Sequence, residues 1–396
     1  MKHIAHFIET LGSGGAEKAL LTYIQTFNMK IFKHTIITLY EPTLSTDYWK
    51  KNFEVCGVNI FNLNHRNKYN FIRSFFRLRR FLKNEQISLL STHLFWSNFI
   101  GRLAGKSLGI PVISTVHNPD YDTEVSNNWN KSKLRKHKLV RLIDKYTVKY
   151  CCNHLIAVSD YTKNHIISKF NLNNDFVDVI YNPVKLDFQA GISKTEVRRS
   201  IINEFGLIKN HPILFSSGRV TIQKGHDDLV RCISHLRDNK VLVNLLIAGN
   251  LSDVKYVDNI IKIAEDLNVR SQLYLIGERR DVHKILRGID IFVFPSRFEG
   301  MGISLAEAMI AECPIVAYNI GPISELIENS ISGSLIESRN WQAFAEEILL
   351  LLRNSTFSSE LAFNAKERAS LLFSPNIQVN KFETLINKIF KESNNV

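Results

Sequence analysis

Short apolar runs alternate with helix-period runs along nearly the whole chain, and this alternation constrains the fold more than any other feature. In the first half the strand-like runs are HIAHFIE (3–9), HTIITLY (34–40), VNIFNL (58–63), ISLLSTH (87–93), PVISTVH (111–117), HLIAVS (154–159) and VDVIYN (177–182). In the second half they are PILFSSG (212–218), VNLLIAG (243–249), QLYLIG (272–277), IDIFVFPS (289–296) and PIVAYN (314–319). Helical runs such as 257–267 and 340–353 separate most of them. Strands alternating with helices belong to parallel sheets covered on both faces. The series restarts across 185–211, a stretch with no clear strand that follows Asn182-Pro183-Val184. The expected fold is therefore α/β, with two doubly wound sheets. Open sheets of this type bind ligands outside the carboxyl ends of their strands, and two facing sheets make a cleft.

The 396 residues are too many for one comfortable core, in keeping with two domains. Apolar residues make up 45% and charged residues 22%, as in soluble globular proteins. No run of eighteen apolar residues occurs, so no transmembrane helix is expected. The opening MKHIAHFIETLGSGG lacks the apolar core of a signal peptide and reads as a first strand running into a glycine turn. The five cysteines, Cys56, Cys151, Cys152, Cys232 and Cys313, include no C-x-x-C pair. Neither a disulfide framework nor a zinc site is expected, and a reducing compartment fits.

The net charge is +12, from 50 Lys and Arg against 38 Asp and Glu. Two basic runs lie in the first half, 64–83 and 130–150. In the first, Phe71, Phe75, Leu78 and Leu82 form one helical stripe, with Arg73, Arg77 and Arg80 on the opposite face. Such helices either face the core with a basic solvent side or lie on an anionic membrane surface. No zinc finger, aromatic RNP-like motif or basic tail supports a nucleic-acid partner.

Three turns carry candidate chemistry. LGSGGAEKAL (11–20) is not G-x-G-x-x-G, because Glu17 stands where the third glycine belongs, so the dinucleotide fingerprint fails. What is left is a tight loop before a helix, either a plain turn or one that lets a phosphate or sugar approach Gly14 and Gly15. FSSGRVTIQKGHDDLV (215–230) is the matching turn of the second half. There Arg219 and Lys224 are two surface cations or a diphosphate-binding pair. The third turn, RFEGMGISLAEAM (297–309), carries Glu299 and Glu307 around a glycine loop. Ser304 and Glu307 have the S-x-x-E spacing of a capping box, which is the structural alternative for Glu307. Glu299 precedes two glycines and has no helix to cap. Glycines admit a ligand, N–H groups at a helix start hold phosphate, and carboxylates accept hydrogen bonds from sugar hydroxyls.

Together EGMGISLAE (299–307), GSGGAEKAL, STVHN (114–118), LIAVSDYTK (155–163), YNPV (181–184), SGRVTIQKG (217–225), LLIAG (245–249) and YNIGPISELI (318–327) resemble, in order and over nearly the whole chain, the retaining GT-B glycosyltransferases of the family four type. The resemblance implies two Rossmann-like domains facing each other across a cleft. Residues 1–184 would be an acceptor-binding domain and 185–373 a nucleotide-sugar domain. Residues 374–396 would form a last helix crossing back to the first domain. It implies catalytic roles for His117, Arg219, Lys224 and Glu299. Arg219 and Lys224 would neutralise the diphosphate, Glu299 would bind donor-sugar hydroxyls and His117 would reach the same sugar. Donor-binding positions would be Gly14, Gly15, Gly277, Arg279, Gly300, Met301, Gly302, Ser304, Leu305 and Glu307, with Glu307 on the ribose and the Gly277–Arg279 loop near the base. His93 would face the acceptor.

No metal or other cofactor is expected, and the D-x-D triplet Asp120-Tyr121-Asp122 is read as a decoy. The implied donor is a UDP- or GDP-sugar. The implied acceptor is a growing, lipid-linked glycan in surface polysaccharide or lipopolysaccharide synthesis, handled in the cytoplasm at the inner face of the plasma membrane. Glu299 is not assigned as a covalent nucleophile despite the paired carboxylates. YNPV departs from the commoner asparagine–glycine at that junction. Two rivals remain open: a nucleotide-sugar epimerase or hydrolase of the same fold, and a non-catalytic membrane-associated scaffold.

Overall fold

The computed structural model describes residues 1–396 apart from 44–45, 67–69, 120, 122–130, 187, 189–191 and 395–396. It divides into two compact units, Met1–Val184 with Ser374–Val396, and Lys185–Phe373.

The first unit is built on seven strands: β1 (Lys2–Ile8), β2 (Phe32–Tyr40), β3 (Asn59–His65), β4 (Leu89–His93), β5 (Val112–Val116), β6 (His154–Ala157) and β7 (Val177–Val179). Their order is β3-β2-β1-β4-β5-β6-β7, and every pairing is parallel. Winding runs outward in both directions from β1, so the crossovers leave β1 and β4 on opposite faces and open a crevice at their carboxyl ends. One face is covered by the helices Gly15–Thr26 and Pro375–Asn394. Val379, Phe382, Leu385, Ile386, Ile389 and Phe390 of the last helix are buried in one core with Ile4, Tyr23, Phe27 and Ile36. On the other face Leu78, Leu82, Ile100 and Ala104 pack against Ala5, Phe7 and Ile37.

The helix Phe71–Asn84 turns Leu78 and Leu82 inward as its stripe predicts. Arg77 departs from that pattern. It is half-buried, lies over the Phe61 ring and donates from Nη1 to the Leu63 carbonyl at 3.2 Å. A long guanidinium side chain covers apolar surface while keeping its charge hydrogen-bonded.

The second unit holds β8 (Ile213–Ser217), β9 (Asn244–Ala248), β10 (Leu273–Gly277), β11 (Ile291–Phe294), β12 (Ile315–Asn319) and β13 (Ser334–Glu337). The order is β10-β9-β8-β11-β12-β13, again wholly parallel, with its switch point between β8 and β11. Twelve of the strands fall on the apolar runs of the sequence. The thirteenth, β13, does not, because it is a four-residue edge strand whose SLIE is only partly apolar and partly buried. The strandless stretch before β8 contains the helix Lys194–Phe205, started by a reciprocal capping box between Ser193 and Glu196. All five cysteines are free thiols. Among the described residues, no helix is long and apolar enough to cross a membrane.

Under the first switch point lies a column of histidines, three buried and the last, His117, half-buried. His6 Nε2 meets His34 Nδ1 at 2.9 Å, the His6 and His93 rings lie 6.3 Å apart, and His93 Nδ1 is 3.3 Å from His117 Nε2. Burial holds all four below the ordinary histidine range, His34 and His117 at about 4. Each is therefore neutral in the folded chain at pH 7. Because the unfolded chain binds their protons near pH 6.5, stability is full above that value and falls as pH drops toward 4. A histidine shifted from 6.5 to about 4 loses roughly 2 kcal/mol by pH 5. The urea midpoint is expected to fall between pH 7 and pH 5, and to fall less in His34→Gln. A midpoint that rises over that interval contradicts neutral burial.

Candidate functional site

In the second unit the candidate residues gather at the carboxyl ends of β8 and β11, on either side of the switch point. After β8 the chain turns at Gly218 and Arg219, makes the short 3₁₀ turn Ile222–Lys224 and enters the helix His226–Asp238 through Gly225. Gly225 has φ +66°, and a Cβ there would stand 2.2 Å from the Pro295 carbonyl oxygen. Only glycine lets the two loops touch this closely. After β11 the loop Pro295–Gly302 leads into the helix Ile303–Ile310.

The contact brings Lys224 and Glu299 together as a largely buried ion pair, Nζ on Oε1. The Lys224 ammonium also lies 5.5 Å from the Phe294 ring centroid. Glu299 is 7% exposed and Glu307 is 4% exposed. Lys224 and Glu299 are thus two opposite charges held at the mouth of the crevice. Arg219 is exposed, its Nη2 donating to Gln223 Oε1 at 3.3 Å.

The capping alternative for Glu307 is not what the structure shows. The N-cap of Ile303–Ile310 is Gly302, at φ +88°, with no side-chain cap. Ser304 therefore sits inside the first turn, two residues too late to cap. Glu307 lies farther along the helix, turned inward. The same S-x-x-E spacing does form a box at Ser193, where an extended residue precedes the helix. Gly300, Met301 and Gly302 are buried, and Leu305 has no exposed side-chain surface. The Leu305 N–H donates to the Gly302 carbonyl at 3.1 Å, so its expected phosphate contact competes with a hydrogen bond inside the protein.

Gly277 ends β10 at φ +69°. Arg279, expected beside a base, is committed within the protein. Its Nε and Nη2 donate to Asp281 at 2.9 and 2.8 Å, and Nη2 also reaches Glu204 at 2.7 Å. These hydrogen bonds raise its pKa further. Its guanidinium is therefore paired before any ligand arrives.

Sequence reasoning missed Arg297, which holds the two loops in register. Its Nη2 donates to Asp227 at 2.8 Å and to Asp228 at 3.1 Å, and its Nη1 to the Ile222 carbonyl at 3.1 Å. Its own N–H donates to the Gln223 carbonyl at 2.8 Å, and Gln223 Nε2 returns a bond to the Phe298 carbonyl at 2.9 Å. Burial opposes the Arg297 charge, but hydrogen bonds and Coulombic attraction to the two aspartates raise its pKa. Asp227 is further held by Tyr256 and Asp228 by Tyr318, the latter at 3.0 Å. The only sequence signal was a basic residue two before Glu299 and an Asp-Asp pair after the Lys-Gly turn, and both look like ordinary surface charges.

In the first unit Gly14 and Gly15 are exposed at the start of Gly15–Thr26. Glu17, the residue that breaks the dinucleotide fingerprint, turns back and accepts from the Thr10 hydroxyl at 3.0 Å. A Cβ on Gly14 would meet that carboxylate at 2.3 Å. His117 is half-buried at the end of β5 and lines a cavity of ≈ 230 Å³ with Glu9, Phe95, Asn98, Asn118 and Tyr121. His93 was expected to face an acceptor. It is only 3% exposed, lies between Ser91 Oγ at 3.2 Å and His117, and lines with His117 a second, small pocket rather than that cavity. Its geometry orients His117. Among the described residues no group of three His, Cys, Asp or Glu is placed to hold a metal ion. Asp120 and Asp122 of the D-x-D triplet lie outside the described residues.

The family model for Glycosyltransferase Family 4 matches residues 13–188, and that for Glycosyl transferases group 1 matches 197–368. The chain is a GT-B glycosyltransferase of the family four type. It is 27% identical over 288 residues, 70% of each chain, to the UDP-Gal:α-D-GlcNAc-diphosphoundecaprenol α-1,3-galactosyltransferase of Escherichia coli. It is 24% identical over 265 residues, 65% of this chain and 67% of the other, to the capsular polysaccharide biosynthesis glycosyltransferase CapM of Staphylococcus aureus. Among solved structures, Anabaena Alr3699/HepE in complex with UDP and glucose has a TM-score of 0.82 at 15% identity, covering 98% of this chain and 100% of that one. Sugar transfer is thus the activity of the family, and in this glycosyltransferase the β8/β11 crevice lies beside Lys224 and Glu299.

Arg297→Ala leaves one buried and one half-buried carboxylate without their cation and is expected to cost about 3–5 kcal/mol in unfolding free energy. Urea denaturation measures it, and a loss below about 1 kcal/mol, the range of an exposed ion pair, contradicts the tie.

Proposed function

We propose that this glycosyltransferase moves one sugar from a nucleotide-diphosphate donor, UDP- or GDP-linked, onto a growing lipid-linked glycan, with retention of anomeric configuration and without a metal ion. The observation that carries this reading is the pairing of Lys224 with Glu299 at the β8/β11 switch point, beside the inward-turned Glu307. A diphosphate entering the crevice competes for the Lys224 ammonium. That exchange frees the Glu299 carboxylate to accept from sugar hydroxyls, while Glu307 accepts from the ribose. Arg219, exposed on the same turn, adds the second cation.

In the transfer the bond between the anomeric carbon and the diphosphate oxygen breaks, and the diphosphate keeps the electron pair. Lys224 and Arg219 stabilise that charge where it develops. The acceptor hydroxyl bonds to the carbon on the same face and gives its proton to the departing phosphate oxygen. The neutral His117 imidazole serves the sugar being transferred as a hydrogen-bond partner, and Gly14 and Gly15 leave room for the donor. The relatives named for a diphosphoundecaprenol-linked acceptor and for capsular polysaccharide support the acceptor class. Such an acceptor places the reaction at the cytoplasmic face of the plasma membrane.

Turnover of Lys224→Ala is expected to fall by about 10²–10³, as when one preorganised oxyanion donor is lost, with its unfolding midpoint followed as a control for folding. Near-normal turnover in a folded variant removes Lys224 from the reaction. Proton NMR of the first-formed product tests stereochemistry: a product of the same anomeric configuration as the donor is expected, and an inverted product contradicts retention. Sugar-nucleotide turnover that proceeds at full rate without acceptor favours the epimerase or hydrolase reading instead.

A further inference from the structure

The helix Lys131–Cys151 carries two faces of opposite character. Its inner face is anchored by Asp144, whose Oδ1 accepts from Arg102 Nη1 at 2.6 Å and whose Oδ2 accepts from the Tyr121 hydroxyl at 2.8 Å. Thr147 and Val148 are buried on the same side. At roughly 100° per residue, Leu139, Leu142, Ile143, Tyr146 and Tyr150 fall in one sector of about 100° opposite Asp144. Leu139, Leu142, Tyr146 and Tyr150 are 59–62% exposed, and Ile143 is 42% exposed. Five large apolar side chains in one turn-after-turn stripe are more than scattered surface residues.

The charges on this helix say what covers the stripe. Its sequence holds eight Lys and Arg and one acid, Asp144, which is already neutralised by buried Arg102. Arg135, Lys138 and Lys149 border the stripe and are exposed, as is Lys136 on its other side. A second copy of the chain would set these cations against one another. An anionic bilayer meets both features, because its acyl boundary takes leucine and isoleucine, its headgroups take lysine and arginine, and tyrosine sits between.

We infer that the outer face of Lys131–Cys151, centred on Leu142 and Tyr146, is the surface by which this enzyme docks on anionic lipid. The inference rests on the preceding reading only for the place of the acceptor, since the stripe and its charges are independent of the donor site. The helix Phe71–Asn84 is secondary. Its Leu78 and Leu82 face the core, and only Ile72 and Phe76 are exposed apolar positions beside Arg73 and Arg80.

Flotation of the full chain with vesicles of phosphatidylglycerol and phosphatidylethanolamine tests it, with phosphatidylcholine vesicles for comparison. The wild type is expected to float with the anionic vesicles at low salt and to be released by high salt. The combined variant Leu139→Ser, Leu142→Ser, Tyr146→Ser is expected to lose about tenfold in bound fraction. Its thermal response to sugar nucleotides should be unchanged. Arg135→Gln, Lys138→Gln, Lys149→Gln should lose binding to anionic vesicles in the same way. A wild type that stays with the soluble fraction, or a Leu139/Leu142/Tyr146 variant that floats like wild type while Ile72→Ser, Phe76→Ser does not, overturns the inference. Concentration-dependent self-association abolished by the same triple change assigns the face to a second copy and overturns it too. A lost response to sugar nucleotides in the wild type is a failure of the donor reading alone.

Discussion

A parallel sheet wound outward from its first strand must send two neighbouring strands' crossovers to opposite faces, and everything else in this enzyme is arranged around that constraint. In the second unit the two strands are β8 and β11, so the loops that follow them cannot be bridged by a helix and stand open beside each other. The backbone closes the distance through Gly225, where any side chain would strike the Pro295 carbonyl. Lys224 and Glu299 follow from that approach. They lie 75 residues apart in sequence, and the approach of the two loops is what pairs them.

Charges at such a place are costly unless they are compensated. The enzyme compensates them at two depths. Lys224 and Glu299 form the outer pair, and Arg297 with Asp227 and Asp228 forms the inner cluster, sealed by Tyr256 and Tyr318. In the inner cluster both aspartates are paired with Arg297 and a tyrosine, and these bonds tie the two loops together. Under the proposed function the outer pair has a different prospect, because a diphosphate would offer Lys224 a stronger partner and sugar hydroxyls would offer Glu299 several weaker ones. A site that exchanges partners in this way is preorganised without being left as bare buried charge.

Much of this was legible in the sequence, and the exceptions have physical causes. Strands buried on both faces are near-continuous apolar runs, and twelve of them could be placed from apolarity alone. The edge strand β13 is half-buried and gives no such run. Glu299 and Lys224 stood out because each follows a strand and adjoins a glycine. Arg297 did not, because its meaning comes from Asp227 and Asp228, which a linear reading sees only as the first turn of a helix. Ser304 and Glu307 matched a capping box by spacing, but the cap depends on where the helix starts, and Gly302 starts it two residues earlier. His93 shows another limit: the sequence placed it at a strand end, but not its contact with the His117 ring.

The central claim is that the β8/β11 crevice holds a nucleotide sugar through these charges. The most direct measurement is calorimetric titration of the purified chain with a panel of UDP- and GDP-sugars, with Glu307→Ala and Glu299→Ala alongside. The account predicts that one donor binds the wild type, that Glu307→Ala weakens the nucleotide alone as well as the whole donor, and that Glu299→Ala weakens only the donor carrying its sugar. Equal affinities in all three proteins would contradict it.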